Sequence, residues 1–266
     1  MRIATAVSFV TFLVAIGALP AYAMQCSAQS PVRTTALVEL YTSEGCDSCP
    51  PADQWLSSLG SRGYAPDRVV PIALHVDYWD YIGWKDPYAK REFTTRQRKH
   101  AAMKRARIVY TPQVVLQGQD LRGWHSGAFE QEVARINALP ARARISLSLD
   151  TRKGGFFEVD AVAELLEGAN RADAALYLAA YENKLVSEVK AGENRGRTLA
   201  HDYVVLEWVG PLEFRAGNRL QERRALPLLP KAVRQHSGVV AFVQDRKTGD
   251  VLQALMLGAC PLKLPG

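Results

Sequence analysis

Three features of the chain predict its fold class. A C-x-x-C pair lies between an apolar strand and a helix, strands and helices alternate through the first half, and short alternating strands follow Pro140. Together they predict an α/β thioredoxin-like domain followed by an all-β antiparallel sandwich. The expected division is a removable leader over 1–23, the α/β domain over 24–140 and the sandwich over 141–266. A hydrophobic fraction of 48% supports buried cores, and the length suits two domains better than one.

The leader is read from Met1-Arg2, the apolar stretch from Val7 to Leu19, and the A-x-A site Ala21-Tyr22-Ala23. That stretch is too short for a comfortable membrane span, and no later segment is long and apolar enough to cross a bilayer. Met24-Gln25 before Cys26 lacks the small-residue pattern of a lipidated cysteine. The expected location is the periplasm, or secretion, after cleavage near Ala23. The net charge of +6 is spread along the chain, which excludes a nucleic-acid-binding tail. The densest basic cluster, Lys90 to Arg107, reads as the solvated face of a helix.

The elements follow in order. Ala36 to Tyr41 is an apolar strand, and Ala52 to Leu59 a helix. Val69 to Val76 is a second strand of the kind buried in a parallel sheet, with Pro71 placing its start at an edge. Pro87 to Met103 is a charged helix with Asp86 as its cap and Pro87 at its first position. Gln113 to Leu116 is a short strand, Gln117 to Gln119 a turn, Asp120 to Trp124 a returning strand, and Ser126 to Asn137 a closing helix. Leu139-Pro140 marks the boundary. Beyond it, strands are expected around 145–149 and 159–163, and over 174–181, 185–189, 203–209, 239–244 and 251–257. Turns fall at Glu182-Asn183-Lys184, Gly210-Pro211 and Lys247 to Asp250.

The chemistry centres on Cys46-Asp47-Ser48-Cys49. At a helix N-terminus, unpaired N–H groups and the positive dipole end stabilise a thiolate. Cys46 would attack a partner's disulfide and Cys49, two residues on, would resolve the mixed disulfide. Pro50 and Pro51 remove two donors near the sulfurs and Asp47 adds negative charge, which weakens that stabilisation. Two other readings stay open at this point: a structural disulfide, and half of a zinc site. Thr111-Pro112, after Tyr110, has the setting of a cis-proline loop that presents backbone to a bound peptide, with a trans proline at a strand start as the alternative. The segment from His75 to Pro87 is dense in aromatic and acidic residues and leaves the end of a strand, where sites form in open α/β sheets. His75 or Asp77 could handle protons there, and Trp79 could wall a substrate or cover the sheet. Glu39 stands near the position of the buried acid of thioredoxins, shifted by one residue, so a partly exposed or salt-bridged glutamate is the competing reading. Gly45 stands where thioredoxins usually carry Trp.

Cys26 and Cys260 remain once the local pair is formed, and are expected to be linked as a structural disulfide joining the chain ends. In the second half, Asn194, Arg197 and His201 form either a polar binding loop or a hairpin connection. No phosphate-cradling Gly loop, H-E-x-x-H or Ser-His-Asp order is present, and no cofactor is expected.

The runs from Tyr41 to Asp53, from His75 through Pro87, and from Tyr110 to Gln113, with Gly192 to Leu199 and His201, resemble the bacterial secreted thioredoxin-like proteins of domain-of-unknown-function family 1223. The resemblance spans essentially the whole chain beyond the leader and implies fold and export, with no established reaction. The expected function is thiol–disulfide exchange through Cys46 and Cys49. Thr111, Pro112 and Tyr110 would orient the partner, and the partners would be exported protein thiols or disulfides and a redox partner protein. The alternative is a non-catalytic binding module handling copper through Cys46, Cys49 and His75.

Overall fold

The structure is a computed structural model and describes residues 25–150 and 155–260. The expected leader over 1–23 lies outside the described residues. In chain order the strands and helices are β1 (Gln25–Gln29), β2 (Ala36–Thr42), α1 (Pro50–Ser58), β3 (Val69–His75), α2 (Arg91–Met103), β4 (Gln113–Leu116), β5 (Gln119–Asp120) and α3 (Ala128–Ala138). Then follow β6 (Ala143–Asp150), β7 (Phe156–Leu165), β8 (Ala174–Glu182), β9 (Leu185–Glu188), β10 (Thr198–His201), β11 (Val204–Glu213), β12 (Arg219–Pro227), β13 (Ser237–Asp245) and β14 (Val251–Gly258).

These strands do not separate into an α/β domain and a sandwich, which corrects the expected fold class. An eight-stranded sheet of order β14-β13-β8-β11-β3-β2-β4-β5 draws its strands from both halves, and the described chain is mostly β. A four-stranded sheet, β1-β6-β7-β12, and the β9–β10 hairpin complete the sheets among the described residues. β11 is the seam. It pairs in parallel with β3 through Val204 and Ala73, and antiparallel with β8 from Val204 to Glu213.

Alternation along the strands assigns the faces. Leu37 and Tyr41 of β2 share one apolar cluster with Tyr177, Ala179 and Tyr181 of β8, Phe242 of β13 and Phe93 of α2. Val38 and Leu40 point the other way, onto Leu56 of α1 and Phe129, Val133 and Ile136 of α3. On that same face, Leu176 and Leu178 of β8 and Val239 and Ala241 of β13 meet Ile145, Leu147 and Val159 of the four-stranded sheet. Both helices beside β2 and the smaller sheet therefore cover one side, and α2 covers the other.

Several boundaries moved for local reasons. α2 starts at Arg91 rather than Pro87, because Asp86 is buried in a side-chain network and caps no helix. Pro71 lies in a central strand rather than at an edge. Ala73 donates its N–H to Tyr203 O, so Pro71 faces the same side before β11 begins, where no donor is required. β5 is shorter than expected and ends at Asp120. The chain does not turn at Gly210-Pro211; β11 runs through that cis bond with a register shift between Val209 and Leu212. β1, β10 and β12 were not anticipated, β12 because its alternation is hidden in the charged run Arg219 to Arg224.

Candidate functional site

β2 ends at Thr42, and the chain then runs through Ser43, Glu44 and Gly45 to Cys46. Cys49 N-caps α1, with Pro50 and Pro51 in its first turn, where a missing N–H costs little. Cys46 and Cys49 are joined as a disulfide with Cα atoms 5.5 Å apart. Both cysteines are 0% exposed, while Asp47 and Ser48 between them face solvent.

The covering comes from both halves. A Cβ on Gly45 would lie 3.0 Å from Trp79 Cβ, so Trp79 packs against the residue before the pair. Trp79 Nε1 donates to Thr111 Oγ1 at 2.7 Å, and the Thr111–Pro112 bond is cis. Gln113 pairs with Tyr41 across β2 and β4, which sets Pro112 at the sheet end where β2 leads into the cysteine turn. Tyr110 donates its hydroxyl to Asp120 Oδ1 at 2.7 Å; burial, then that carboxylate, pushes its phenol up to about 12. Tyr110 and Pro112 line an open depression of about 330 Å³ with Ile108, Arg122 and Trp124.

From the second half, Asn194 reaches over the turn. It is fully buried, and its Nδ2 donates to Glu44 O at 2.8 Å and Cys46 O at 2.9 Å. Its Oδ1 accepts from Arg197 Nη1 at 2.7 Å, and Glu193 accepts the Asp47 N–H at 3.1 Å. Gly192 and Gly196, at φ +72° and +83°, make the bends of this β9–β10 connection, so the hairpin and polar-loop readings describe one object.

Beneath the turn lies a buried polar network. His75 Nδ1 and Asp86 Oδ2 are 2.7 Å apart, and Asp86 also accepts the N–H groups of Glu44 and Tyr88. His201 Nε2 meets Glu44 Oε1 at 3.1 Å, and Trp84 Nε1 donates to Glu44 Oε2. Asp53, on α1, accepts from Thr42 Oγ1, and its Oδ1 stands 4.0 Å from His201 Nδ1. Burial raises the Asp53 carboxyl, only partly offset by His201 and His75. Burial works to lower His75, but the adjoining Asp86 outweighs it and the imidazole sits above its ordinary value. Asp86 goes the other way: burial lifts it, and His75 with the backbone donors holds it below the usual carboxylate range.

Two further candidates lie elsewhere. Asp77 accepts from Thr94 Oγ1 and ties the segment after β3 to α2. Glu39 points to the α2 face of the sheet, opposite α1, and is held by Arg96 in a bidentate pair of 2.7 and 2.9 Å. It is the salt-bridged glutamate of the competing reading and not the partly exposed one, being 1% exposed. The acids near the cysteine turn are instead Glu44, Asp53 and Asp86. Glu44 and Asp53 flank the C-x-x-C pair, two residues before Cys46 and four after Cys49. The sequence signal for Asp53 was its place one helical turn after Cys49, on the face that also buries Ala52 and Leu56.

Residues 37–244 match a family of proteins of unknown function, DUF1223. The chain belongs to that family. Among curated proteins none matches it. A crystal structure of an Agrobacterium tumefaciens protein is similar at 25% identity and a TM-score of 0.60, covering 89% of this chain and 100% of the other. HBP35 of Porphyromonas gingivalis is similar at 14% identity and a TM-score of 0.66, covering 89% of this chain and 80% of the other. The second likeness is one of fold alone.

Proposed function

We propose that the protein carries out thiol–disulfide exchange on exported proteins. The observation that carries this reading is the bonded Cys46–Cys49 pair at the start of α1, at the same end of the sheet as Pro112. A partner thiolate attacks Cys46 Sγ, the Cys46–Cys49 bond breaks, and Cys49 leaves as the thiolate, which the α1 N-terminus stabilises. A second partner thiolate then attacks the partner's own sulfur in the mixed disulfide and releases Cys46. The partner ends as a disulfide, the Cys46–Cys49 pair as a dithiol, and two electrons have moved between them; a redox partner protein reoxidises the pair. The steps run equally in reverse. The depression lined by Ile108, Tyr110, Pro112, Arg122 and Trp124 would seat the partner chain. Both disulfides suit an oxidising compartment, in line with export.

Trapping tests the reading. Cys49→Ser should accumulate mixed disulfides between Cys46 and exported proteins, and Cys46→Ser should abolish both trapping and exchange with a dithiol peptide. Full exchange by Cys46→Ser would overturn it.

A further inference from the structure

We propose that Asp53, His75 and His201 form a buried site for a borderline divalent transition metal of the Zn²⁺ type. One donor atom from each lies within 4.8 Å of the other two. They come from three elements: α1, the end of β3 and the end of β10. The side chains are 6%, 0% and 3% exposed.

Two observations beyond proximity point to a ligand. His75 Nε2 and His201 Nδ1 are buried and have no hydrogen-bond partner among the described residues, and both residues belong to the clustered set. Buried ring nitrogens are ordinarily satisfied, so two of them without a hydrogen bond in one buried cluster are unusual. The outer nitrogens are held in the way metal-binding imidazoles are held. His75 Nδ1 is bound to Asp86 and His201 Nε2 to Glu44, which fixes the tautomers and turns the remaining lone pairs inward. The ring centroids stand 5.0 Å apart.

Charge supports the same reading. Asp53, Glu44 and Asp86 are three buried carboxylates, and among the described residues no Lys or Arg forms a salt bridge with them; their ion-pair partners are the two histidines. A buried dication would balance that excess of acid. Two imidazoles and a carboxylate with room for an exogenous ligand suit Zn²⁺ and its neighbours rather than Ca²⁺ or Mg²⁺, which take oxygen. Bonds of about 2.1 Å would draw the three side chains inward by roughly an ångström. The bound ion would pin the β9–β10 hairpin, and with it Asn194, against the first half of the chain.

The site needs no thiolate, which separates it from copper capture by Cys46, Cys49 and His75 and from the exchange reaction. The test uses the whole protein with both disulfides intact, stripped by chelator in denaturant and refolded with Zn²⁺. We expect one Zn²⁺ per chain by elemental analysis, a raised melting temperature, and an X-ray absorption spectrum with two imidazoles, oxygen and no sulfur in the first shell. Competition against a chromophoric chelator should show affinity falling about 100-fold or more in His201→Ala and about 10–100-fold in Asp86→Asn. Absence of stoichiometric Zn²⁺ after refolding, sulfur in the first shell, or undiminished affinity in a folded His201→Ala protein would each overturn the proposal. The spectrum of the unmutated protein decides the matter if the variants fail to fold.

Discussion

The pairing of Glu39 with Arg96 shows how a single buried acid is made tolerable on the face of the sheet opposite α1. Burial pushes the Glu39 carboxyl up, and the charge and hydrogen bonds of Arg96 more than reverse this, so that it lies below its ordinary value of 4.5. Arg96 is itself ringed by Tyr177, Trp208 and Phe242, with centroids 4.8–5.2 Å from its guanidinium carbon. A carboxyl lowered on folding binds fewer protons folded than unfolded. The stability it contributes is therefore full above its unfolded value and is lost as pH falls through the folded one. Removing Arg96 leaves the acid buried with no cation beside it and the Tyr41 hydroxyl as its remaining hydrogen-bond donor, at a cost of about 3–5 kcal/mol. Burial, the largest influence on this carboxyl, then outweighs His100 and the Tyr41 hydroxyl and raises it, and the sign of its linkage reverses. Arg96→Ala should be strongly destabilised at neutral pH and recover part of the loss relative to the unmutated protein as pH falls toward 4.5, a range in which the lowered Glu39 of the unmutated protein keeps its full contribution. Denaturant melts of both proteins at neutral pH and near that value measure this; parallel pH dependence would refute it. Double replacement of Glu39 and Arg96 by Met should cost less than Arg96→Ala alone.

Among elements, the β9–β10 connection has the largest consequence for the cysteine pair, because it straps a turn built by the first half. Asn194 holds the carbonyls of Glu44 and Cys46, and each such bond contributes about 1 kcal/mol net. Since the pair is fully buried, a small thiol reaches it only when that covering opens. Asn194→Ala should lower the opening cost by about 1–2 kcal/mol and so speed reduction of Cys46–Cys49 by dithiothreitol roughly 5–30-fold. Quenched alkylation and mass measurement follow the rate; a change under twofold would mean that the strap does not control access. The strap also marks where sequence reading ran out. Gly192, Asn194 and Gly196 advertise a turn, and nothing local says that the turn lands 148 residues away in the chain on Cys46. The cysteine run, the helix after it, the strand at Gln113 and the cis bond at Thr111–Pro112 were legible because each is written in a few neighbouring residues. Asp86 was misread for the converse reason: an Asp before a Pro looks like a helix cap, and only tertiary packing makes it the partner of His75.

At the scale of the whole molecule, the same limit governs the fold. Most strands of the second half were visible as alternation, yet alternation names a strand's faces and not its neighbours. β11 joins β3 to β8, and that one placement turns an expected pair of separate units into one eight-stranded sheet. The cysteines were more informative about long-range order, because the expected pairing of Cys26 with Cys260 is present, with Cα atoms 5.5 Å apart and 234 residues between them. It fastens β1, at the edge of the four-stranded sheet, to the chain just after β14, at the edge of the eight-stranded one. In the loop-closure account a link of that span constrains the unfolded chain by about 5.5 kcal/mol. It joins β1 to the segment after β14, whereas the Cys46–Cys49 turn lies between β2 and α1. The double variant Cys26→Ser, Cys260→Ser should accordingly melt roughly 10–20 °C lower, taking about 2–4 °C per kcal/mol for a chain of this size. The reduction potential of Cys46–Cys49 should stay within a few millivolts of the unmutated value, about a tenth of the 30 mV that 1.4 kcal/mol represents. Calorimetry and equilibration against glutathione supply the two readings. A melting temperature unchanged within 2 °C would show that the unfolded chain gains little freedom when the link is cut, and a shifted potential would show that the chain ends and the cysteine turn are coupled through the shared sheet.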